Sequence, residues 1–252
     1  MPTSEMTQQE LFAEIKSRFM KIAKERGLSA ERIEITSRAL SAKDAIGTTR
    51  RQDYPIITGK EVMLQADYMG SLGQAFTDSP SVFEGTLEEI LELDIETDVH
   101  ARGLFIAALN AVMRHLSLAE RTIHCKNEEP ELCAAKYVDY VKTHYGSPKI
   151  ALVGFQPALI ENLSGAFELR VLDLNPENIG KTKHGVKIED GEKDYKAVVL
   201  DWAELVVCTG STLANGSIVK YIGIGKEVVF YGTTLSGAAA LMGLKRVCFY
   251  GT

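Results

Sequence analysis

The spacing of apolar positions changes along the chain, and the predicted element changes with it. Over residues 6–26, Leu11, Phe12, Ile15, Phe19, Ile22 and Ala23 recur at helical spacing, and Gly27 is placed to end the helix. This stripe is that of a helix with one face on a core. From Ala30 to Thr77 the texture becomes strand-like. Ile33-Glu34-Ile35-Thr36 alternates, the run from Val62 to Tyr68 is rich in strand formers, and glycines stand at 47, 59, 70 and 73. A short antiparallel meander is predicted. The glycines in Met69-Gly70-Ser71-Leu72-Gly73-Gln74 suit a ligand loop, and equally a bulge or a hairpin end. Helical patterning returns after Gly85, where Thr86 followed by Glu88 and Glu89 makes a helix start. Residues 97–116 predict a longer helix with a small-residue face (Gly103, Leu104, Ala107, Ala108, Ala111, Val112). Asn110 lies within it, either internally bonded or facing a site. A further helix is predicted over residues 130–145. Gly146-Ser147-Pro148 then breaks the pattern, because the residue before proline resists helix.

Beyond that break the chain alternates short apolar runs with glycine-rich turns. Ile150-Ala151-Leu152-Val153 is a strand, Gly154 turns the chain, and Pro157 sits where the first turn of a helix tolerates a missing N–H. Leu169-Arg170-Val171-Leu172 is the next strand and ends in Asp173. This strand–loop–helix–strand unit seeds a parallel sheet. Residues 175–180 form a turn. Residues 181–196 read mostly as loop, with an edge segment at 185–188, and residues 195–202 as a short helix or turn. Strands are predicted at 204–208, 226–231 and 246–250, and helices at 213–222 and 236–242. Two domains are expected, 1–146 and 147–252.

Composition narrows the function classes. The chain has 252 residues and is 45% hydrophobic, enough to bury a core. Its net charge of −6, with no basic block, argues against nucleic acid or an anionic membrane as partner. The charged start does not read as a secretory signal, and no apolar run approaches the ~18 residues of a membrane span. Four scattered cysteines do not make a disulfide framework, so a cytoplasmic protein with reduced thiols is expected. A homodimer is expected only from how common dimers are.

The candidate chemistry sits in four loops: Gly154-Phe155-Gln156-Pro157, Asp173-Leu174-Asn175-Pro176, Thr209-Gly210-Ser211-Thr212 and Gly232-Thr233-Thr234. In a parallel sheet such loops share one edge, where ligands bind at the switch point. Glycine admits a ligand to the backbone, and exposed N–H groups and hydroxyls hold an oxyanion or a polar ring, so a small polar or anionic ligand is expected. The competing explanation is that short connections favour such residues as caps and turns. Asp173 lies about 20 residues after Gly154, close to the ribose-binding spacing of dinucleotide folds. It could as easily cap the following turn. No G-x-G-x-x-G follows the first strand, and Gly223-Ile224-Gly225-Lys226 lacks the upstream glycine of a phosphate loop. His124-Cys125 and Cys133 lack a second ligand pair, so no structural zinc site is expected. Cys208 is either a small buried hydrophobe or a reactive thiol.

At these same loops the chain resembles a bacterial and archaeal family called putative heavy-metal chelation proteins. The resemblance is carried by Val153-Gly154-Phe155-Gln156-Pro157, by Leu172-Asp173-Leu174-Asn175-Pro176-Glu177, and by the run from Cys208 to Ile218 that includes Asn215. Tyr231-Gly232-Thr233-Thr234-Leu235-Ser236 is similar to a Gly-Pro-x-Thr-Pro-Leu pattern but lacks both prolines, and Gly103-Leu104 with Asn110 is similar to a helix beside the family's cleft. The resemblance implies an α/β protein in which a Rossmann-like parallel sheet domain is preceded by a smaller α+β domain like the N-terminal domain of enolase. It also implies a site between the two domains. The activity stays open, since fold likeness alone does not assign function.

The expected site therefore comprises Asn110, Gly154, Gln156, Pro157, Asp173, Asn175, Thr209, Gly210, Ser211, Thr212, Asn215, Gly232, Thr233 and Thr234. Two functions are compatible with it. One is binding of a small-molecule or chelated-metal ligand without acid–base chemistry, with a role in heavy-metal handling. The other is a transferase using a nucleotide-like cofactor such as S-adenosylmethionine or NAD, with Asp173 on the ribose and Asn110 or Gln156 orienting substrate. A structural interaction module would instead fill the crevice with its own side chains.

Overall fold

A computed structural model describes residues 6–28, 30–36, 40–59 and 61–252, and the side chains of residues 34–36 fall outside the described part. Helix α1 (Gln8–Glu25) begins at a capping box. Thr7 Oγ1 accepts from Glu10 N at 3.2 Å, and Glu10 Oε2 accepts from Thr7 N at 2.8 Å. Its buried face is Leu11, Phe12, Ile15, Phe19 and Ala23, the stripe expected from the spacing. Strands β1 (Arg32–Thr36), β2 (Val62–Tyr68), β3 (Ser71–Thr77) and β4 (Phe83–Thr86) form an antiparallel sheet of order β3-β2-β1-β4. A plain meander would seat β4 beside β3, but β4 pairs with β1 at the other side. The short helix α2 (Ala42–Ile46) lies in the connection between β1 and β2. Met69 and Gly70 are the tight turn of the β2–β3 hairpin, both at positive φ, with Asp67 Oδ1 accepting from Gly70 N at 2.8 Å. That run is a hairpin end, one of the two readings its glycines allowed.

Helices α3 (Leu87–Glu92), α4 (Val99–His115) and α5 (Glu129–Tyr145) follow. Asp98 caps α4, and every side chain from Ala101 to Met113 is buried. A helix buried all round needs neighbours on each side. Here β2 and β3 cover one side and α7 (Ser236–Met242) another. The small-residue face predicted from the sequence lets these backbones approach closely. Gly73 is the tightest point: a Cβ there would lie 2.1 Å from Ala111 N and 2.5 Å from Ala107 O.

The second sheet has order β10-β9-β5-β6-β8-β7, with β5 (Ile150–Val153), β6 (Leu169–Asp173), β8 (Val186–Asp190), β9 (Leu205–Thr209) and β10 (Glu227–Tyr231) all parallel. Only the two-residue β7 (Thr182–Lys183) runs antiparallel. The central strands are buried on both faces, as parallel strands must be. Ile150 and Leu152 pack with α5 and α6 (Pro157–Ser164), while Ala151 and Val153 belong to the cluster shared with α1, α4 and α7. The two sheets fall on either side of residue 147, but both hydrophobic clusters draw residues from both sides. Among the described residues no helix is long and apolar enough to cross a membrane.

Three elements differ from expectation. Residues 181–196, read mostly as loop, carry the β7–β8 hairpin, turned by His184 and Gly185 at positive φ, and β8 lies inside the sheet. The helix expected over 213–222 is broken by Gly216 at φ +79, and only a 3₁₀ segment, Ser217–Tyr221, remains. Asn215 favours the break, because its Oδ1 accepts from both Ser217 N and Ser217 Oγ. The last expected strand, 246–250, is reduced to a single bridge between Phe230 and Arg246. Its carbonyls are taken by side chains instead: Tyr137 donates to Val247 O at 2.5 Å, and Arg121 to Cys248 O. Between β8 and β9 the chain makes a π-helical turn, Lys196–Trp202.

Gly73→Ala is expected to lower unfolding stability by about 3 kcal/mol in urea titrations. The new methyl group meets the backbone of α4, which has nowhere to retreat.

Candidate functional site

The order of the second sheet fixes where a ligand can sit. From β5 the chain builds outward through β6 to β8, then crosses to β9 on the other side of β5. The switch point is therefore between β5 and β9, and a ligand crevice is expected outside their carboxyl ends. Gly154 marks the spot, with φ +95 and no room for a side chain. A Cβ there would be 2.7 Å from Thr209 Cγ2 and 3.3 Å from the Tyr231 hydroxyl.

A cavity of about 470 Å³ opens at this edge. Of the residues expected at the site, Gly154, Gln156, Asp173, Asn175, Thr209, Ser211, Thr212, Asn215, Gly232, Thr233 and Thr234 line it, whereas Asn110, Pro157 and Gly210 do not. The opposite wall comes from the first half of the chain and includes Tyr54, Ile56, Glu61, Phe76, Asp78, His124, Cys125, Cys133 and Tyr137. That wall is pinned from outside. Arg51 pairs with Glu131 at 2.8 Å and with Glu161, and Tyr54 donates to Glu131 Oε1 at 2.7 Å, so the irregular segment around Tyr54 is tied to α5 and α6.

The three residues outside the lining have other work. Asn110 is fully buried behind the loops. Its Nδ2 donates toward Gln74 O (2.8 Å), Thr234 O (3.1 Å) and Thr233 O (3.2 Å), and its Oδ1 accepts from Gly237 N at 2.7 Å. It positions the Thr233–Thr234 turn from the rear. Pro157 is buried in the first turn of α6. Gly210 lets the loop after β9 pass Leu235, whose Cβ would be 2.9 Å from an added Cβ.

Most polar groups of the four loops are spent on the loops themselves. Gln156 Oε1 caps α6 by accepting from Leu159 N at 2.6 Å. Asp173 accepts from Phe155 N at 2.8 Å through Oδ2, and from Asn175 N at 2.8 Å and Asn178 Nδ2 at 3.2 Å through Oδ1. Its carboxylate thus ties the β5 loop to the β6 loop. Asn175 Oδ1 accepts from Glu177 N, Thr209 Oγ1 from Ser211 N, and Thr234 Oγ1 from Phe76 N, while Thr212 Oγ1 donates to Thr209 O. Thr233 and Glu61, on opposite walls of the cavity, are not held in this way. Thr233 is 1% exposed, and its Oγ1 has no hydrogen-bond partner among the described residues. Glu61 makes no hydrogen bond or ion pair among them either.

Burial pushes the Glu61 carboxyl up to about 7, with the nearby charges of Asp173 and Asp78 adding to the effect. Burial likewise pushes up the Cys133 thiol, to about 11, and the Cys125 thiol further, each also raised by the neighbouring cysteines. His124 is held below the ordinary histidine range by burial. Its Nδ1 lies 2.6 Å from Cys125 O. Cys208, expected as either a core residue or a reactive thiol, is fully buried, and burial raises its pKa as well. Glu61, Asp78, His124, Cys125, Cys133 and Cys248, which also lines the cavity, were not expected there because they come from segments outside the four loops and carry no local motif.

These features define an α/β protein with a Rossmann-like parallel sheet and a cavity at its switch point. Residues 138–245 match the model of the family DUF364, described as "Putative heavy-metal chelation". The resemblance read from the loops is borne out over that stretch. The chain is similar to a crystal structure of a DUF364-family protein of unknown function from Pyrococcus horikoshii, with TM-score 0.52 and 17% identity, over 89% of this chain and 79% of that one. A second DUF364-family structure of unknown function, from Desulfitobacterium hafniense DCB-2, matches at TM-score 0.47 and 13% identity, over 72% of each chain. The likeness to the Pyrococcus structure is one of fold. No curated protein matches.

A heavy metal held directly by the protein would need converging donors. Among the described residues no group of three or more His, Cys, Asp and Glu side chains is placed to hold an ion. Among the described residues, the side chains present do not fit a directly ligated metal centre.

The Glu61 carboxyl yields a signed prediction. An unfolded chain releases this proton near 4.5 and the folded chain near 7, so between those values the folded state holds more protons. Its contribution to stability therefore falls as pH rises through that window. Glu61→Gln is expected to stabilise the ligand-free protein by on the order of 1–3 kcal/mol at pH 8, and by little at pH 4.5, in thermal unfolding.

Proposed function

We propose that this chain binds a small polar molecule in the cavity between residues 1–146 and 147–252, and that this molecule is a metal-chelating one. The observation that carries the reading is the shared cavity itself. Loops following β5, β6, β9 and β10 meet there with a wall from the first half of the chain, leaving about 470 Å³, in the range of small-molecule sites. An interaction module would have filled that space with its own side chains. The heavy-metal description of the family model supports a role in chelation. The lack of a converging donor set among the described residues favours a metal that arrives with donors supplied by the bound molecule.

Native mass spectrometry of freshly purified protein, followed by denaturation and elemental analysis of what is released, tests this. A stoichiometric small molecule is expected from the wild type. Ser211→Trp places an indole into the cavity from a half-buried lining position, and this variant is expected to lose the molecule while its melting temperature moves by only a few degrees. Retention of the same molecule by a folded Ser211→Trp protein would remove the cavity from the proposal.

A further inference from the structure

The cavity's charge and its unspent acceptors bear on what kind of molecule it takes. We propose that the bound molecule presents a small organic cation, an ammonium or guanidinium group, to Glu61 and Thr233 with Asp78 at the rim. This rests on the reading of the cavity as a binding site.

The anion seat of a Rossmann-like fold is the start of the helix after the first strand, where free N–H groups face the crevice. Here that seat is partly taken. Phe155 N is bonded to Asp173 Oδ2 and Leu159 N to Gln156 Oε1, so a phosphate reaching those two groups would have to displace side chains of the same chain, one of them a carboxylate. The lining includes Glu61, Asp78 and Asp173 and, among the described residues, no lysine or arginine. The small anion that glycine loops suggest from sequence alone would meet like charge there.

Among the lining groups left without a partner, two are acceptors set against the acidic wall. Asp173 is already bonded to three donors. Glu61 is without a partner among the described residues, and burial together with Asp173 and Asp78 makes its ionised form costly. The buried Thr233 hydroxyl, independent of the acidic groups, is a lining group with its hydrogen-bonding capacity unused. An unpaired buried hydroxyl is expensive, and a donor-rich ligand would serve Thr233 together with the half-buried Glu61 carboxylate. A positive charge lowers the cost of ionising Glu61 as it binds. Aromatic rings of Tyr54, Phe76, Tyr137 and Tyr231 also line the cavity, and a cation seated over such faces gains about 0.5–2 kcal/mol. A bare metal ion is disfavoured by the missing donor set.

Minimal probes test the charge preference without knowledge of the whole ligand. Full-length protein freed of small molecules is titrated with methylguanidinium and ethylammonium, with acetate and inorganic phosphate, and with Zn²⁺ alone, following backbone amide shifts in ¹H–¹⁵N spectra. The two organic cations are expected to shift the Phe155, Gly232 and Thr233 amides saturably, the anions to leave them unmoved, and Glu61→Gln to weaken the cations at least tenfold. The inference is overturned if the anions shift those amides, if neither organic cation does, if Zn²⁺ alone binds there more tightly than the organic cations, or if Glu61→Gln binds them as well as wild type. Ser211→Trp separates the two levels. If cations still bind this folded variant as they do the wild type, the cavity reading fails. If Ser211→Trp abolishes binding and Glu61→Gln does not alter it, only the assignment of the cation fails.

Discussion

One buried carboxamide holds the two halves of this protein in register. Asn110, in the middle of α4, bonds to β3 through Gln74, to the turn after β10 through Thr233 and Thr234, and to the start of α7 through Gly237. Each of these partners is a main-chain group that burial would leave costly if unpaired, by ~1–3 kcal/mol apiece. Thr234 adds a stitch in the same place by accepting from Phe76 N. The antiparallel sheet, the central helix and one cavity loop are thus joined at a single point. Arg102, one helical stretch earlier, repeats the device. It is 2% exposed, donates to the carbonyls of Ile95, Glu96 and Ala214, and lies over the Phe12 ring at 4.4 Å.

In front of that joint the loops, though rich in polar residues, are largely self-contained. Gln156, Asp173, Asn175, Thr209 and Thr212 each satisfy a neighbouring backbone or side-chain group, and so give the rim its shape. Shape made this way is independent of any bound molecule. The Thr233 hydroxyl and the Glu61 carboxyl of the opposite wall take no part in that shaping.

The second sheet was largely legible in the sequence because its signals are local. Short apolar runs, a glycine after each of several of them and a proline at the first helical position suffice to place β5, α6, β6, β9 and β10. The errors arose where a local pattern lost to a particular neighbour. Arg246 to Tyr250 has strand composition, but Tyr137 and Arg121 claim the carbonyls a ladder would need. Residues 213–222 have helical spacing, but Asn215 and Gly216 stop the helix with an αL turn. Asn110 was legible as a polar residue on a buried face, though not whether it looked toward the cavity or away from it. Glu61, His124 and Cys248 were illegible as site residues. Their positions depend on how an irregular wall packs across the sheet edge, and residue spacing carries no trace of that.

The close approach at Gly73 also limits how the two layers can move against each other. With the backbones of β3 and α4 already in contact, neither has space to shift toward the other. On the proposed reading, a change in the cavity's size or charge would fall to side chains of its wall, such as Tyr54, Ile56 and Glu61, and would leave the β3–α4 contact untouched.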